Sequence, residues 1–413
     1  PAGPAMAAQP GRNRRPLEGI RVLDLTSMIA GPNCTRLLAD CGAEVLKVEE
    51  PGGDHMRKTP PLRDGRSTYF GHLNAGKRSL AIDLKSESGR DIARRLAAAS
   101  DVVVENFRPG VMRRLGLDYA TLAGLRPDIV YCSISGFGQD GPRAGQSAYA
   151  PIVHAVSGYD MTQLHYQGGG ADGGRGRPDK TGIFVADVLA AVYAFGAVQA
   201  ALIGRMRHGV GQFIDVALMD AMLNLLIFEC QEAQFPLGRR RPLYVPMRAT
   251  DGFVIVTPIS QRNFEQLADA TGNGGWNTDP RFATVAARLE NWDALMDAIE
   301  AWTSRHTARQ CENILGAAGV PCSRYLTVAE AMADPQLAAR GTLATVADAA
   351  GTFQMPNPPF RFSDGGAGVG ARVPELGGDT AAVLEQVLSM TVEEIDELRR
   401  RNVIGGGLPG ASG

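Results

Sequence analysis

Apolar positions along the chain fall into short dense runs separated by stretches of helical period. IRVLDLTS (20–27) is rich in branched side chains and predicts a strand. AGPNCTRLLADCG (30–42) carries helical spacing and stops at Gly42, and AEVLKVEE (43–50) predicts the next strand. A helix over 87–99 leads into a strand at 101–107 (DVVVENF), a short helix follows Pro109, and PDIVYCSIS (127–135) predicts a further strand. Strands that alternate with helices imply an α/β fold with a parallel, doubly wound sheet.

Beyond residue 160 the pattern changes. GGGADGGRGRP (168–178) is too rich in glycine to pack and predicts a mobile loop. Two apolar helices are expected at about 188–206 and 215–230. The first contains a charge-free run (188–204) that falls short of a comfortable membrane span and includes Gln199, so it reads as a buried helix. Between 245 and 335 the pattern suits a smaller inserted α+β domain. From 340 onward short strands resume (TLATVAD, GTFQMPN) and the chain ends in a polar helix, 391–402. The expected plan is a disordered tail over 1–16, a large domain built from 17–230 and 340–404, and a small domain at 245–335.

Composition fits that plan. The 413 residues exceed a usual single domain, and 44% hydrophobic with 21% charged residues is ordinary for a folded protein. Lysine and arginine number 42 against 44 acidic residues, a net charge of −2, so no global field attracts nucleic acid. An anionic ligand then needs a local pocket. The six cysteines are scattered without zinc spacing and read as reduced core thiols. The first twenty residues hold Arg12, Arg14 and Arg15 but no apolar run, so a secretory signal is not expected and the cytoplasm is the default compartment.

Candidate chemistry is sparse. Gly136–Gly141 (GFGQDG) fits the GxGxxG spacing after a strand, yet Pro142 follows and no helix opens, so a structural turn is expected rather than a dinucleotide loop. No P-loop, HExxH or GxSxG motif occurs. His55, His72, His154, His165, His208 and His306 lack metal-partner spacing and read as surface or packed residues; no metal is expected. Asn106 and Phe107 end a strand where open α/β sheets bind ligands, beside Arg108, Arg113 and Arg114. That cluster suits an anion or a solvated helix face equally. Asn74 to Ser79 (NAGKRS) reads similarly, as a turn with two cations suited to phosphate or water.

Asp187 is an ionisable residue in an apolar stretch of more than twenty residues, just before a long helix. Aspartate is a preferred N-cap, which is the plainer reading of the residues alone. A helix N-terminus also stabilises a poorly solvated carboxylate that can attack an electrophile. Asp220, in the following apolar helix, is a weaker candidate of the same kind.

Taken together, PLEGIRVLDLTSMIAGPNCTRLLADCGAEVLKVEEPGGD, NAGKRSLAIDL, VVVENFRPGVMRRLGLDY, YCSISGFGQDGP, HGVGQFIDVALMDAM and DPQLAARGTL resemble the family III CoA-transferases, the superfamily that also holds 2-methylacyl-CoA racemases. The resemblance spans nearly the whole chain. It implies a Rossmann-like large domain, a small domain and two interlocked subunits. It implies that Asp187 is the nucleophile, passing CoA through an aspartyl-CoA thioester with no proton-transfer residue. It places CoA contacts on Ser27, Met28, Ile29, Ala30, Asn106, Phe107, Arg114 and Gly136. Coenzyme A and acyl-CoA would be substrates, with a carboxylic acid as the other; no permanently bound cofactor, nucleic acid or membrane is implied.

Departures narrow the choice. Formyl-CoA transferases carry a glutamine where Ile29 stands, a lysine and tyrosine where Ser135 and Phe137 stand, and a glycine-rich loop where PLGRRRPLY (236–244) stands. Formyl or oxalyl transfer is therefore disfavoured, and Arg239, Arg240 and Arg241 suit either a second substrate carboxylate or a basic surface turn. The racemase branch keeps a histidine, for which counting back from Ser157 and Gly158 gives Tyr149, a poor proton acceptor near neutral pH. The expected activity is acyl-CoA:carboxylate CoA transfer, with a dicarboxylic or branched organic acid as one partner. A 2-methylacyl-CoA epimerase and a CoA-binding protein without chemistry are the alternatives.

Overall fold

The computed structural model describes residues 14–167, 176–238, 241–258, 260–364 and 366–405. The chain divides into two compact units: the described residues up to Cys230 together with those from Ala338 onward, and Gln231–Leu337. The larger is α/β around one seven-stranded sheet. Its strands are β1 (Arg21–Leu25), β2 (Glu44–Glu49), β3 (Arg78–Ile82), β4 (Val102–Glu105), β5 (Val130–Ser135), β6 (Gln212–Ala217) and β7 (Ile404–Gly405), in the spatial order β7-β3-β2-β1-β4-β5-β6. All pairings are parallel except β7 on β3.

Both faces of the sheet are covered, which is why its central strands read as continuous apolar runs rather than alternating ones. Val22, Val45, Val102, Val104 and Cys132 face one core, and Leu23, Leu46, Val48, Val103 and Tyr131 face the other. Successive residues belong to opposite cores, as a period of two demands. The first core is closed by α1 (Ala30–Asp40), α6 (Ala150–Val156), α8 (Val185–His208) and α9 (Leu218–Leu225). The second is closed by α3 (Glu87–Ala98), α4 (Val111–Leu115), α5 (Tyr119–Leu125) and the helices Thr380–Leu388 and Val392–Arg400. Helices α2 (Thr68–Asn74) and α7 (Tyr159–Tyr166) flank the first set.

The smaller unit has its own core. Strands Met247–Ala249, Gly252–Val256 and Cys322–Arg324 form an antiparallel sheet. Phe264, Leu267, Leu295, Ile299 and Trp302, from the helices behind it, fill the interior.

Several expectations are corrected. Residues 212–217 form an edge strand, not the start of a helix, because QFIDVA pairs in register with β5 from Val130↔Gln212 to Ser135↔Ala217. The chain does turn at Asn74–Lys77, the Lys77 N–H donating to the Asn74 carbonyl, but Arg78 and Ser79 open β3 and Lys77 is 5% exposed, so its cation is turned into the protein. Helix α8 is buried along one face alone, with Val188, Val192, Tyr193, Ile203 and Met206 exposed on the other. It is long and apolar enough to cross a membrane by length and composition, but Ala190, Ala194 and Val198 are packed in the core. Arg15, expected in the disordered tail, is in place, its side chain lying over Gly42 and its carbonyl accepting from the Glu18 N–H. Residues 1–13, most of the glycine-rich loop (168–175), Arg239 and Arg240 lie outside the described residues.

Candidate active site at the sheet switch point

The order of strands places a crevice where the chain reverses direction across the sheet. From β1 the chain moves outward through β2 to β3, then returns to β4 on the opposite side of β1. Loops leaving the carboxyl ends of β1 and β4 therefore diverge, and the gap between them is where open α/β sheets take ligands. The first loop is Thr26-Ser27-Met28 and the second is Asn106-Phe107-Arg108.

The two loops are tied to each other. The Ser27 N–H donates to Asn106 Oδ1 at 2.9 Å, and Asn106 Nδ2 donates to the Ser27 carbonyl at 2.7 Å. The Phe107 N–H donates to Glu105 Oε2 at 2.8 Å, and the hydroxyl of Ser133 donates to the other Glu105 oxygen. Burial pushes the Glu105 carboxyl up to about 7, against the pull of these bonds. Met28 holds φ 65, a left-handed conformation unusual for a residue with a side chain.

A buried ionic cluster underlies the first loop. Asp24 Oδ1 accepts from the Thr26 N–H at 2.9 Å, and Asp24 Oδ2 accepts from Lys77 Nζ at 2.9 Å. Lys77 also donates to the Pro32 carbonyl, Thr35 Oγ1 and Asn74 Oδ1. Lys47 Nζ donates to the Thr26 carbonyl at 2.9 Å and to Asp54 at 3.0 Å. Burial works against the Asp24 anion, but Lys77, Lys47 and the hydroxyls of Thr26 and Thr35 outweigh it and hold its pKa at about 2. Burial lowers Lys77 to about 8, so the pair is ionised at neutral pH. Gly31, at the start of α1, closes the same turn: a Cβ there would lie 2.3 Å from Thr26 Cβ.

Two cavities open at the crevice. One, of about 240 Å³, is lined by Ser27, Met28, Ala30, Asn106, Phe107 and Arg108 together with Ser135, Gly136, Gln146, Tyr149 and Asp187. The other, of about 380 Å³ and more apolar, is lined by Leu25, Ser27, Met28, Val48, Ile82, Asp83, Leu84, Lys85 and Phe107. They share Ser27, Met28 and Phe107 as a common wall.

Asp187 sits at the third residue of α8. It does not cap the helix: the N-cap is Phe184, no side chain caps there, and the Asp187 carboxylate has no hydrogen-bond or ion-pair partner among the described residues. Burial raises its carboxyl to about 6. The amides of a 24-residue helix pull the other way, because their positive end favours the anion. Tyr69, on α2, lies near enough that burial and the charge of Asp187 together raise its phenol. A half-buried carboxylate, unengaged and open to a cavity, is suited to nucleophilic attack.

Of the residues singled out from the sequence, Ser27, Met28, Ala30, Asn106, Phe107, Gly136 and Asp187 meet around the smaller cavity. Ile29 does not. It is 8% exposed and packs with Met56, Phe70 and Leu73, because the turn at Met28 directs the next side chain inward. Arg114 is exposed on α4, outside both linings, with its guanidinium beside Gly110. Arg113 opens on a neighbouring cavity of about 430 Å³ with Tyr119, Tyr131 and Phe213. Asp220 is exposed on α9 and lines neither cavity at the crevice.

Sequence reasoning missed Asp83, Leu84 and Lys85, which follow β3; reading Lys77 and Arg78 as part of a turn suited to phosphate or water hid the strand that delivers them. It also missed the place of His154, which is fully buried beside α8, its Nε2 accepting from the Ala186 N–H at 3.1 Å. The Gly136 turn is structural in part, since a Cβ there would lie 2.1 Å from Ala148 Cβ.

A family model described as CoA-transferase family III matches residues 17–380. The chain belongs to CoA-transferase family III. It is 35% identical to succinyl-CoA–D-citramalate CoA-transferase of Chloroflexus aurantiacus over 410 residues, 95% of this chain and 99% of that one. It is 37% identical to acetyl-CoA:oxalate CoA-transferase of Acetobacter aceti, covering 86% and 91% of the two chains, and 37% identical to succinate–glutarate CoA-transferase of Agrobacterium fabrum, covering 81% and 86%. A CaiB/BaiF family protein from Brucella suis superposes with a TM-score of 0.79 at 35% identity, over 91% of this chain and all of that one. Rv3272 of Mycobacterium tuberculosis gives 0.79 at 28%, over 90% and 99%. CoA thioesters are the substrates of this family III enzyme, and CoA transfer is its general chemistry.

Proposed function

We propose that this family III enzyme moves CoA between carboxylic acids through a covalent intermediate on Asp187. The observation that carries the reading is the unpartnered Asp187 carboxylate at the cavity walled by the Ser27–Asn106 clamp. The nucleotide end of acyl-CoA occupies the larger cavity, with Lys85 as a cation for its phosphates, and the thioester reaches Asp187 past Phe107.

The carboxylate attacks the thioester carbonyl, the C–S bond breaks, and a mixed anhydride and CoA thiolate result. The thiolate attacks the Asp187 carbonyl and releases the first acid, leaving an aspartyl-CoA thioester. The acceptor carboxylate attacks that carbonyl and expels the thiolate. The thiolate then attacks the acceptor's acyl carbon, which forms the new acyl-CoA and restores Asp187. Each step exchanges one nucleophile for another and no net proton moves.

The acceptor is a dicarboxylic or branched organic acid. Relatives named for citramalate and glutarate transfer support that class. An epimerase would need a second acid/base facing the cavity besides Asp187, and among the described residues the histidine beside the start of α8, His154, has its Nε2 committed to a backbone amide. The exposed apolar side of α8, together with Leu223 and Ile227, suits burial against a second copy of the chain. Incubating acetyl-, succinyl- and 2-methylacyl-CoA with citramalate, glutarate and oxalate, with products read by mass, tests the activity; no new acyl-CoA from any pair would reject it. Exchange of an α-proton in deuterium oxide without transfer would favour the epimerase.

A further inference from the structure

We propose that His154 is a positioning residue that fixes the first turn of α8 and so aims Asp187 at the cavity. A helix begins with N–H groups that have no partner within it. At α8 the N-cap position is Phe184, which offers no side-chain acceptor, and Asp187 leaves those amides alone. The acceptor comes from another helix: His154 of α6 places Nε2 3.1 Å from the Ala186 nitrogen, one residue before Asp187.

The bond specifies the imidazole. An N–H donor requires a lone pair on Nε2, so His154 is neutral and its proton resides on Nδ1. That nitrogen is buried and has no hydrogen-bond partner among the described residues. The ring leans on Tyr159, centroids 5.3 Å apart. Among the described residues, the bond to Ala186 is thus the one polar side-chain contact that accounts for a histidine at a position with no exposure. Ionisable groups on the elements packed against α6 are Tyr159, Asp160, His165 and Tyr166 on α7, Asp187, Tyr193, Arg205, Arg207 and His208 on α8 and Asp220 on α9. Burial disfavours the imidazolium and outweighs Asp160, which favours it.

The inference rests on Asp187 being the nucleophile, and the test separates the two. His154→Leu removes the acceptor at similar volume, and His154→Gln returns one at about the reach of Nε2. Loss of aim at a reacting atom costs on the order of a hundredfold in rate. The leucine variant is expected to lose kcat on that scale with KM for acyl-CoA changed less than about threefold, and the glutamine variant to recover to within about fivefold of the wild type. Trapping the acylated enzyme with hydroxylamine reads the other claim: label on Asp187 in the wild type upholds the nucleophile whatever the His154 variants do. With that label present, a leucine variant of wild-type kcat, or a folded glutamine variant as slow as leucine, overturns the positioning role. If the leucine variant does not fold, nitrogen NMR of histidine-labelled wild type decides, the His154 signals being those absent from His154→Gln. Protonated Nδ1 with bare Nε2 at neutral pH is expected, and the opposite tautomer or an imidazolium overturns the proposal.

Discussion

Replacing Lys77 with methionine keeps most of the side-chain volume and removes the ammonium from beneath the Ser27 turn. That ammonium shares its three N–H groups among four acceptors at 2.7–2.9 Å, on Asp24, Pro32, Thr35 and Asn74. The substitution leaves the Asp24 carboxylate fully buried with Lys47 as its remaining cation, and takes from the buried Asn74 Oδ1 its donor. Breaking one side of a buried ion pair costs about 3–5 kcal/mol, and an orphaned buried acceptor adds about 1–3 kcal/mol, partly offset because a buried ammonium no longer has to be desolvated. The expected net loss is about 4 kcal/mol in urea unfolding at pH 7 and fixed protein concentration. The paired change Asp24→Asn with Lys77→Met should recover part of it, since the two effects couple. Because Asp24 holds Thr26, KM for acyl-CoA should rise as well. A solvated lysine, as the sequence alone allowed, would cost under about 0.5 kcal/mol when removed, and a loss that small would refute the buried-cluster account.

Acid should weaken the wild type through the same group. The Asp24 pKa lies at about 2, below the unfolded value, so its stabilisation is present above the unfolded pKa and is lost as pH falls towards 2; acid unfolding of Asp24→Asn should be less steep there. Catalysis needs ionised Asp187, raised to about 6, so kcat should fall on the acid side around pH 6, and a profile flat down to pH 4.5 would contradict this. Asn106→Ala loses both bonds to Ser27, each about 0.5–1.5 kcal/mol, and should raise the dissociation constant for CoA about tenfold by calorimetry. Gly31→Ala forces a methyl into Thr26 and should lower thermal stability by several degrees, whereas the same change at exposed Gly275 should not.

Much of the crevice was legible because its strands are short, apolar and flanked by helices of clear period. β1, β2, β4 and β5 were placed within a few residues, and with them Ser27 and Asn106 at their carboxyl ends. β3 was not, since Lys77 and Arg78 look solvent-directed in one dimension; only the tertiary partner Asp24, 53 residues away, makes Lys77 an interior residue. β6 was hidden by the apolar helix that follows it without a break. Asp187 stood out for its apolar surroundings, but a cap and a nucleophile share those surroundings. The distinction lies in where the helix starts, and GIFVADVL carries no earlier capping residue to show that it starts at Val185. His154 gave no signal, because its partner is a backbone amide on another helix.

The central claim is that Asp187 carries the acyl group and then CoA. Incubating the enzyme with succinyl-CoA, quenching with hydroxylamine and mapping the modified peptide by mass spectrometry reads it directly. The account predicts a hydroxamate on Asp187 that forms only when acyl-CoA is present and disappears in a folded, CoA-binding Asp187→Asn variant that no longer transfers CoA. Label on Asp220 or any other carboxylate, or transfer retained by Asp187→Asn, would contradict it.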